Sequence, residues 1–180
     1  MKSLKNLIVL FSATLLFISC STNDEESIVD INAEKKNLIG TWLLAEITQD
    51  GIVSTDVQGA TVNGTITSFG KDIDAQIIFS ENPDNYIASG GYTDVITVNV
   101  LGRTIDEQQH ISVADRLGQG SWTLDQGILT LTQNSGARAV SIIESTATRL
   151  KLEIEIKELA TLQGITGTIT STLSMTLNKQ

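Results

Sequence analysis

Hydrophobic and polar residues alternate with a period of two near the end of the chain. From Ile165 to Leu177 the odd-numbered residues are mostly apolar, and every even-numbered residue is Thr or Ser. A second such segment, from Leu150 to Ile156, places Leu and Ile on one face and charged residues on the other. Successive side chains of a strand point to opposite faces, so both patterns predict strands with one buried face.

Further strand-like segments occupy most of the remaining chain, and turn-forming residues separate them. These segments cover residues 38–48, 60–68, 73–80, 86–90, 94–101, 104–113, 121–124, 129–133 and 137–144. Turns are predicted at Asp50-Gly51, Asn63-Gly64, Gly102-Arg103, Asp125 to Gly127 and Asn134 to Gly136. Residues 31–37 are predicted to form one helical turn, and residues 159–163 a loop or a short helical turn.

The short connections favour antiparallel neighbours. The predicted fold class is therefore all-β, an antiparallel up-and-down β-barrel of about 8–10 strands, with a β-sandwich as the alternative. Composition agrees, because Thr, Ile and Val make up 54 of the 180 residues and these side chains suit a half-buried pleated surface.

The N-terminus has the anatomy of an export signal. Lys2 and Lys5 precede an apolar run over residues 7–18, which is too short to span a bilayer as a helix. The run ends in Phe17-Ile18-Ser19-Cys20, which resembles the lipobox of bacterial lipoproteins. This resemblance implies a signal peptide over residues 1–19 and lipidation of Cys20, with acyl chains such as palmitate that anchor the protein to a membrane.

The segment after Cys20 predicts where the protein resides. Ser21 follows the cysteine, which in Gram-negative bacteria accompanies passage to the outer membrane, and acidic residues occupy positions 24–26. An acidic cluster at this place resembles the export signal of surface-exposed lipoproteins in the Bacteroidetes. We expect residues 20–37 to form the lipidated Cys and an acidic tether, residues 38–180 to form the barrel domain, and the domain to face the cell exterior.

Charge and residue types exclude several classes of function. Removal of Lys2 and Lys5 with the signal leaves ten basic and 21 acidic residues, a net charge of −11, which disfavours nucleic acid as a partner. His110, the single histidine, lies in a polar stretch and is predicted to be a surface residue. Asp72 and Asp74 share a strand face and could join Asp84 or Asp94 in a calcium site, but no loop has the spacing of an EF-hand. We therefore expect no catalytic residues, no metal and no cofactor, and hence no enzymatic activity.

Two segments of similar pattern lie eighty residues apart. Gly40-Thr41-Trp42 is similar to the Gly-x-Trp that opens the first strand of lipocalin-like proteins, and Gly120-Ser121-Trp122 repeats it. With residues 127–132 and 148–152, the chain resembles the small lipocalin-like lipoproteins of the Bacteroidetes, which implies an antiparallel barrel. Many lipocalins pair the first-strand Trp with an Arg on a late strand, but the last strand here offers only Lys179 at its end.

Two functions follow from a barrel of this size, which either fills itself or holds one small ligand. One is binding of a small apolar molecule, and the other is a filled-core structural or partner-binding module of a cell-envelope assembly. A connected cavity of at least ~300 Å³ would favour a ligand. Trp42 and Trp122 are predicted to be core residues at a barrel end. The predicted ligand-binding residues of the interior or mouth are Phe79, Tyr86, Tyr92, Ile96, Val98, Leu129, Leu131, Leu152, Ile154, Ile169, Leu173 and Met175.

Overall fold

The structure is a computed structural model, and it describes residues 31–162 and 165–180. Its strands are β1 (Gly40–Val57), β2 (Ala60–Lys71), β3 (Gln76–Ser80), β4 (Asn85–Ser89), β5 (Gly91–Val100), β6 (Arg103–Ser112), β7 (Gln119–Asp125), β8 (Ile128–Gln133), β9 (Gly136–Ser145), β10 (Arg149–Leu162) and β11 (Ile165–Lys179). The helices are α1 (Ile31–Leu38) and α2 (Val113–Arg116). Neither helix of this described part is long or apolar enough to cross a membrane. The predicted signal peptide and Cys20 lie outside the described residues.

Antiparallel pairing closes eight of the strands into a barrel. The order around the barrel is β1, β3, β4, β7, β8, β9, β10 and β11, and β11 pairs with β1 again. This closing ladder is long, since it runs from Trp42 opposite Lys179 to Ser54 opposite Thr168. A sandwich has no such ladder between its two sheets, so the predicted all-β antiparallel barrel is confirmed.

Three of the long strands of the barrel are each interrupted by a short non-strand segment, and the three interruptions lie at the same level. We call this level the waist. The waist comprises residues 72–75, Gly90 and residues 113–118. β2 and β3 lie end to end across the first break, β4 and β5 across the second, and β6 and β7 across the third. With each interrupted pair counted as one strand, the barrel is an eight-stranded up-and-down meander.

The waist divides the molecule into a closed half and an open half. All eight strands pair in the closed half, whereas only β10, β11, β1, β2, β5 and β6 continue into the open half. β9 pairs with β10 only over residues 150–153, so in the described part of the chain no ladder joins residues 154–162 of β10 to β6. Each half has its own apolar cluster, with Trp42 and Trp122 in the closed half and Val53 and Val98 in the open half.

The two tryptophans are buried at the closed end, as predicted. The indole nitrogen Nε1 of Trp42 donates to the Leu38 carbonyl oxygen at 2.7 Å. Lys179, the last residue of β11, holds its amine 5.1 Å from the centre of the Trp42 ring and donates to the Asn37 carbonyl oxygen at 2.8 Å. Lys179 therefore makes a cation–π contact with Trp42.

Trp122 repeats this arrangement with a second lysine. Lys35 of α1 lies 5.3 Å from the centre of the Trp122 ring and forms an ion pair with Asp84 at 2.7 Å. The Trp122 Nε1 donates to the carbonyl oxygens of Ser80 and Asn85, each at 3.1 Å. The helical turn expected over residues 31–37 is thus a helix of eight residues, and it covers the closed end of the barrel.

Two of the predicted turns are wrong. Gly51 lies within β1 and Gly64 within β2, and the turn between these strands is at Gln58-Gly59. A Cβ at Gly51 would stand 2.6 Å from the Ser171 Cα, and a Cβ at Gly64 would stand 2.7 Å from the Val100 Cβ. These glycines allow neighbouring strands to approach closely, so a glycine between apolar segments can mark close strand packing instead of a turn. The loop expected over residues 159–163 is also wrong up to Leu162, because β10 continues to that residue.

Gly90→Ala is expected to lower the free energy of unfolding by at least about 2 kcal/mol. Gly90 has a φ of +74°, and a Cβ there would overlap the Asp74 carbonyl oxygen and lie 2.9 Å from the Ala75 Cα. The matched control is Gly102→Ala, at a φ of +70° with no atom within 4 Å of the added Cβ. Backbone strain alone then costs about 1 kcal/mol. Urea unfolding followed by tryptophan fluorescence measures both, and equal losses would contradict tight packing at the waist.

Candidate functional site

A cavity of about 130 Å³ lies inside the barrel, at the waist and beyond it. Its wall is mainly apolar and draws on both apolar clusters, with Ile47, Ile77 and Ile111 from the closed half and Ile66, Ile96 and Ile169 from the open half. The volume is below the ~300 Å³ of pockets for drug-sized ligands, although a dry cavity of about 150 Å³ can hold benzene. The cavity therefore does not reach the ~300 Å³ that would favour a ligand of ordinary size. The barrel interior is nevertheless not completely filled, and the space suits only a molecule about the size of benzene.

Polar side chains interrupt the apolar inner faces of five adjacent strands. We call them the polar belt, and they are Ser171 on β11, Gln49 on β1, Ser68 on β2, Asp94 on β5 and Gln109 on β6. Strand register brings them together, because Gln49 lies opposite Ser68 and Asp94 lies opposite Gln109. The Gln49 Nε2 donates to the Ser171 Oγ at 2.7 Å.

The polar belt separates the two apolar clusters. On β5, Tyr92 belongs to the cluster of the closed half and Ile96 to the cluster of the open half, with Asp94 between them on the same face. Gln49, Asp94 and Gln109 line the cavity. The cavity therefore has an apolar wall on both sides and hydrogen-bonding groups along one band.

The cavity opens through the side of the barrel. Four of its lining residues are solvent-exposed. Gln109 on β6 and Arg116 on α2 lie on one side of the opening, and Arg138 on β9 and Glu158 on β10 lie on the other side. This opening lies where β6 and the second part of β10 are not joined by a ladder. Missing strand pairing thus creates the entrance.

A more polar cleft of about 120 Å³ adjoins the cavity and shares Arg116, Leu117 and Arg138 with it. The Tyr86 hydroxyl donates to the Leu117 carbonyl oxygen at 2.8 Å, and the side-chain amide of Gln133 donates to the same oxygen. These two donors fix the chain directly after α2. Two hydrogen bonds therefore hold the segment of chain that separates the cavity from the cleft.

Burial changes the acid–base behaviour of two groups in the cavity. Burial raises the pKa of Tyr92 to about 12, with a smaller contribution in the same direction from Asp94 and an opposing one from Arg116. Burial also raises the pKa of Asp94, which the hydrogen bond from Ser68 and the charge of Arg116 partly oppose. Both shifts favour the neutral forms of these groups inside the barrel.

The structure brings together half of the predicted ligand-binding residues. Six of the twelve line the cavity: Tyr92, Ile96, Ile154, Ile169, Leu173 and Met175. Tyr86 and Leu131 line the adjoining cleft instead. Phe79, Leu129 and Leu152 are packed in the apolar cluster of the closed half, and Val98 is packed in that of the open half.

Sequence reasoning missed the polar members of the site. Arg138 shares the inner face of β9 with Val140, so the alternation of that strand could have identified it. Arg116 belongs to a helical turn that the strand pattern over residues 104–113 does not extend to. His110 is exposed, as predicted. Asp74 accepts a hydrogen bond from the Gly91 backbone nitrogen at 2.6 Å, and residues 31–162 and 165–180 contain no cluster of three metal-ligating side chains.

Asp94→Asn is expected to raise the free energy of unfolding at pH 7. Because folding raises the pKa of Asp94, its stabilising contribution is present only below the unfolded pKa of about 3.9 and is lost as the pH rises through the folded pKa. The amide has no charge to bury, so the gain at pH 7 should disappear near pH 3. Urea unfolding at both pH values measures this.

Asp56→Asn is the matched control, since Asp56 is exposed on β1. It should change stability by no more than about 0.5 kcal/mol at either pH. A loss of stability in Asp94→Asn that is larger at pH 7 than at pH 3 would contradict the prediction. Such a loss would mean that the folded protein stabilises the ionised carboxylate.

No protein-family model matches this chain, and the searches found no matching curated protein and no matching solved structure. The geometry of the barrel and its cavity therefore has to carry the argument about function, together with the sequence motifs.

Proposed function

We propose that this chain is a lipid-anchored, lipocalin-like binding protein that holds one small, mainly apolar molecule without transforming it. The observation that carries the proposal is the unfilled cavity with an apolar wall and a side opening. The Gly-x-Trp at the first strand supports the lipocalin-like assignment. The cavity volume limits the buried part of the ligand to a group about the size of a benzene ring or a short alkyl chain.

The alternative is a structural or partner-binding module of a cell-envelope assembly with a filled core. It has less support, because the described interior contains open space between its two apolar clusters. The low aromatic content also disfavours stacking of a carbohydrate, since the mature chain contains few Trp, Tyr and Phe.

The proposed location rests on the N-terminal sequence. The lipobox-like Phe17 to Cys20, the residue Ser21 and the acidic positions 24–26 support an outer-membrane lipoprotein that faces the cell exterior. The membrane is then a partner only through the acyl chains on Cys20.

Purified protein is expected to bind hexan-1-ol at one site, and Leu173→Trp should weaken this binding at least tenfold, or about 1.4 kcal/mol. Leu173 lines the cavity, so the larger indole would occupy the space that the ligand needs. Chemical-shift perturbation during an NMR titration measures the affinity and locates the site. Perturbations should include Ile154 and Met175, which share the cavity wall.

Thr170→Trp provides the control, because Thr170 is exposed on the outer face of the same strand. It should leave hexan-1-ol affinity unchanged within about twofold. The proposal fails if hexan-1-ol does not bind, or if both variants lose affinity equally.

Mass spectrometry of the protein isolated from its own host tests the anchor. We expect residues 1–19 to be absent and acyl chains to be present on Cys20. A Cys20→Ser variant has no thiol to acylate and should carry no acyl mass. A mature chain that retains Lys2 without acyl mass would contradict the proposed lipidation.

A further inference from the structure

The carboxyl group of Asp94 is an unusual feature of the cavity. Its residue is only 8% exposed, and it lies on the inner face of β5 between Tyr92 and Ile96. Buried aspartates are rare unless a cation or several hydrogen-bond donors accompany them. The ion pairs of residues 31–162 and 165–180 do not include Asp94.

The neighbours of Asp94 leave its carboxyl group accessible from the cavity. Gln49 donates to Ser171 at 2.7 Å and makes no hydrogen bond to Asp94 among the described contacts. Gln109, opposite Asp94 in the ladder, stands at the exposed end of the belt and lines the same cavity. Asp94 and Gln109 are thus two adjacent acceptor-bearing side chains on the wall that a ligand would contact.

We propose that the ligand is a small amphipathic amine, whose protonated amino group binds Asp94 and whose apolar part fills the cavity. The Asp94 carboxylate accepts hydrogen bonds from the ammonium group, and the Gln109 carbonyl oxygen can accept a further one. The inference rests on the proposed function, since it assumes that the cavity holds a ligand. It adds the chemical class of the ligand and the residue that recognises it.

The other charged side chains at the site contribute less to the binding of a charged ligand than Asp94 does. Arg116 and Arg138 line the opening and would favour an anion, but both are solvent-exposed and water and salt screen their charges. A buried charge interacts far more strongly with a ligand at contact, because the effective dielectric constant is lower inside the protein. Glu158 at the opening and the acidic surface as a whole also favour a cation.

A comparison of three ligands with the same chain length tests the inference at pH 7: hexylamine, hexan-1-ol and hexanoate. We expect hexylamine to bind about tenfold more tightly than hexan-1-ol, as a charge-assisted hydrogen bond allows, and hexanoate to bind most weakly. In Asp94→Asn the affinities for hexylamine and hexan-1-ol should become equal within about twofold. NMR titration measures all three ligands, and near-ultraviolet circular dichroism verifies the fold of each variant.

Two further variants sharpen the test. Asp56→Asn removes an exposed carboxylate outside the cavity and should keep the preference for hexylamine. Arg116→Gln removes an exposed positive charge at the opening and should keep the preference for hexylamine over hexan-1-ol.

The outcomes separate this inference from the proposed function. Failure of hexan-1-ol to bind contradicts the proposed function. Binding of hexan-1-ol without a preference for hexylamine, tighter binding of hexanoate, or a preference that survives in Asp94→Asn overturns the inference alone.

Discussion

The ladder between β1 and β11 is the interaction on which the rest of the structure depends. β1 has 18 residues and β11 has 15, so both cross the waist, and their pairing holds the closed and open halves together. The strands on the other side are short, with seven residues in β7 and six in β8. This inequality in length closes the barrel at one end and leaves it open on one side beyond the waist.

The polar belt lies where the lengths of the strands begin to differ. Along β5 the belt interrupts an otherwise apolar inner face, so a single core cannot run the length of the barrel. Burial of Asp94 lowers stability at neutral pH, whereas the fully buried tryptophans and leucines of the closed half stabilise the fold. Natural proteins often tolerate such a local loss where a group serves binding.

The fold class could be predicted from the sequence because alternation on β10 and β11 is regular. Leu150, Leu152 and Ile154 face inward, as do Ile169 and Met175, which the period of two requires. Gly51 and Gly64 misled the turn prediction, because a glycine that permits close strand packing and a glycine in a turn look alike in sequence. The same alternation identified the apolar residues that line the cavity, because they lie on the inward-facing side of these strands.

The cavity itself could not be predicted in this way. Its existence depends on the waist, where hydrogen bonds between distant segments end the strands. The Asp74 nitrogen donates to the Gly91 carbonyl oxygen and the Val113 nitrogen to the Gly90 carbonyl oxygen, each at 3.0 Å. These contacts join segments far apart in the chain, and no local pattern of residues encodes them. Phe79 and Leu152 have the same alternation as the cavity residues, yet they pack in the filled half.

The position of α1 places the N-terminal entry of the chain at the closed end of the barrel. Leu38 of α1 is fully buried and Lys35 contacts Trp122, so the chain enters the barrel at its closed end. The C-terminus is at the same end, where the Gln180 nitrogen donates to the Thr41 carbonyl oxygen. An anchor at Cys20 would therefore pull on the closed end and leave the side opening in contact with water. A ligand would then have to arrive through the aqueous phase instead of directly from the bilayer, which restricts the ligand to molecules with appreciable solubility in water.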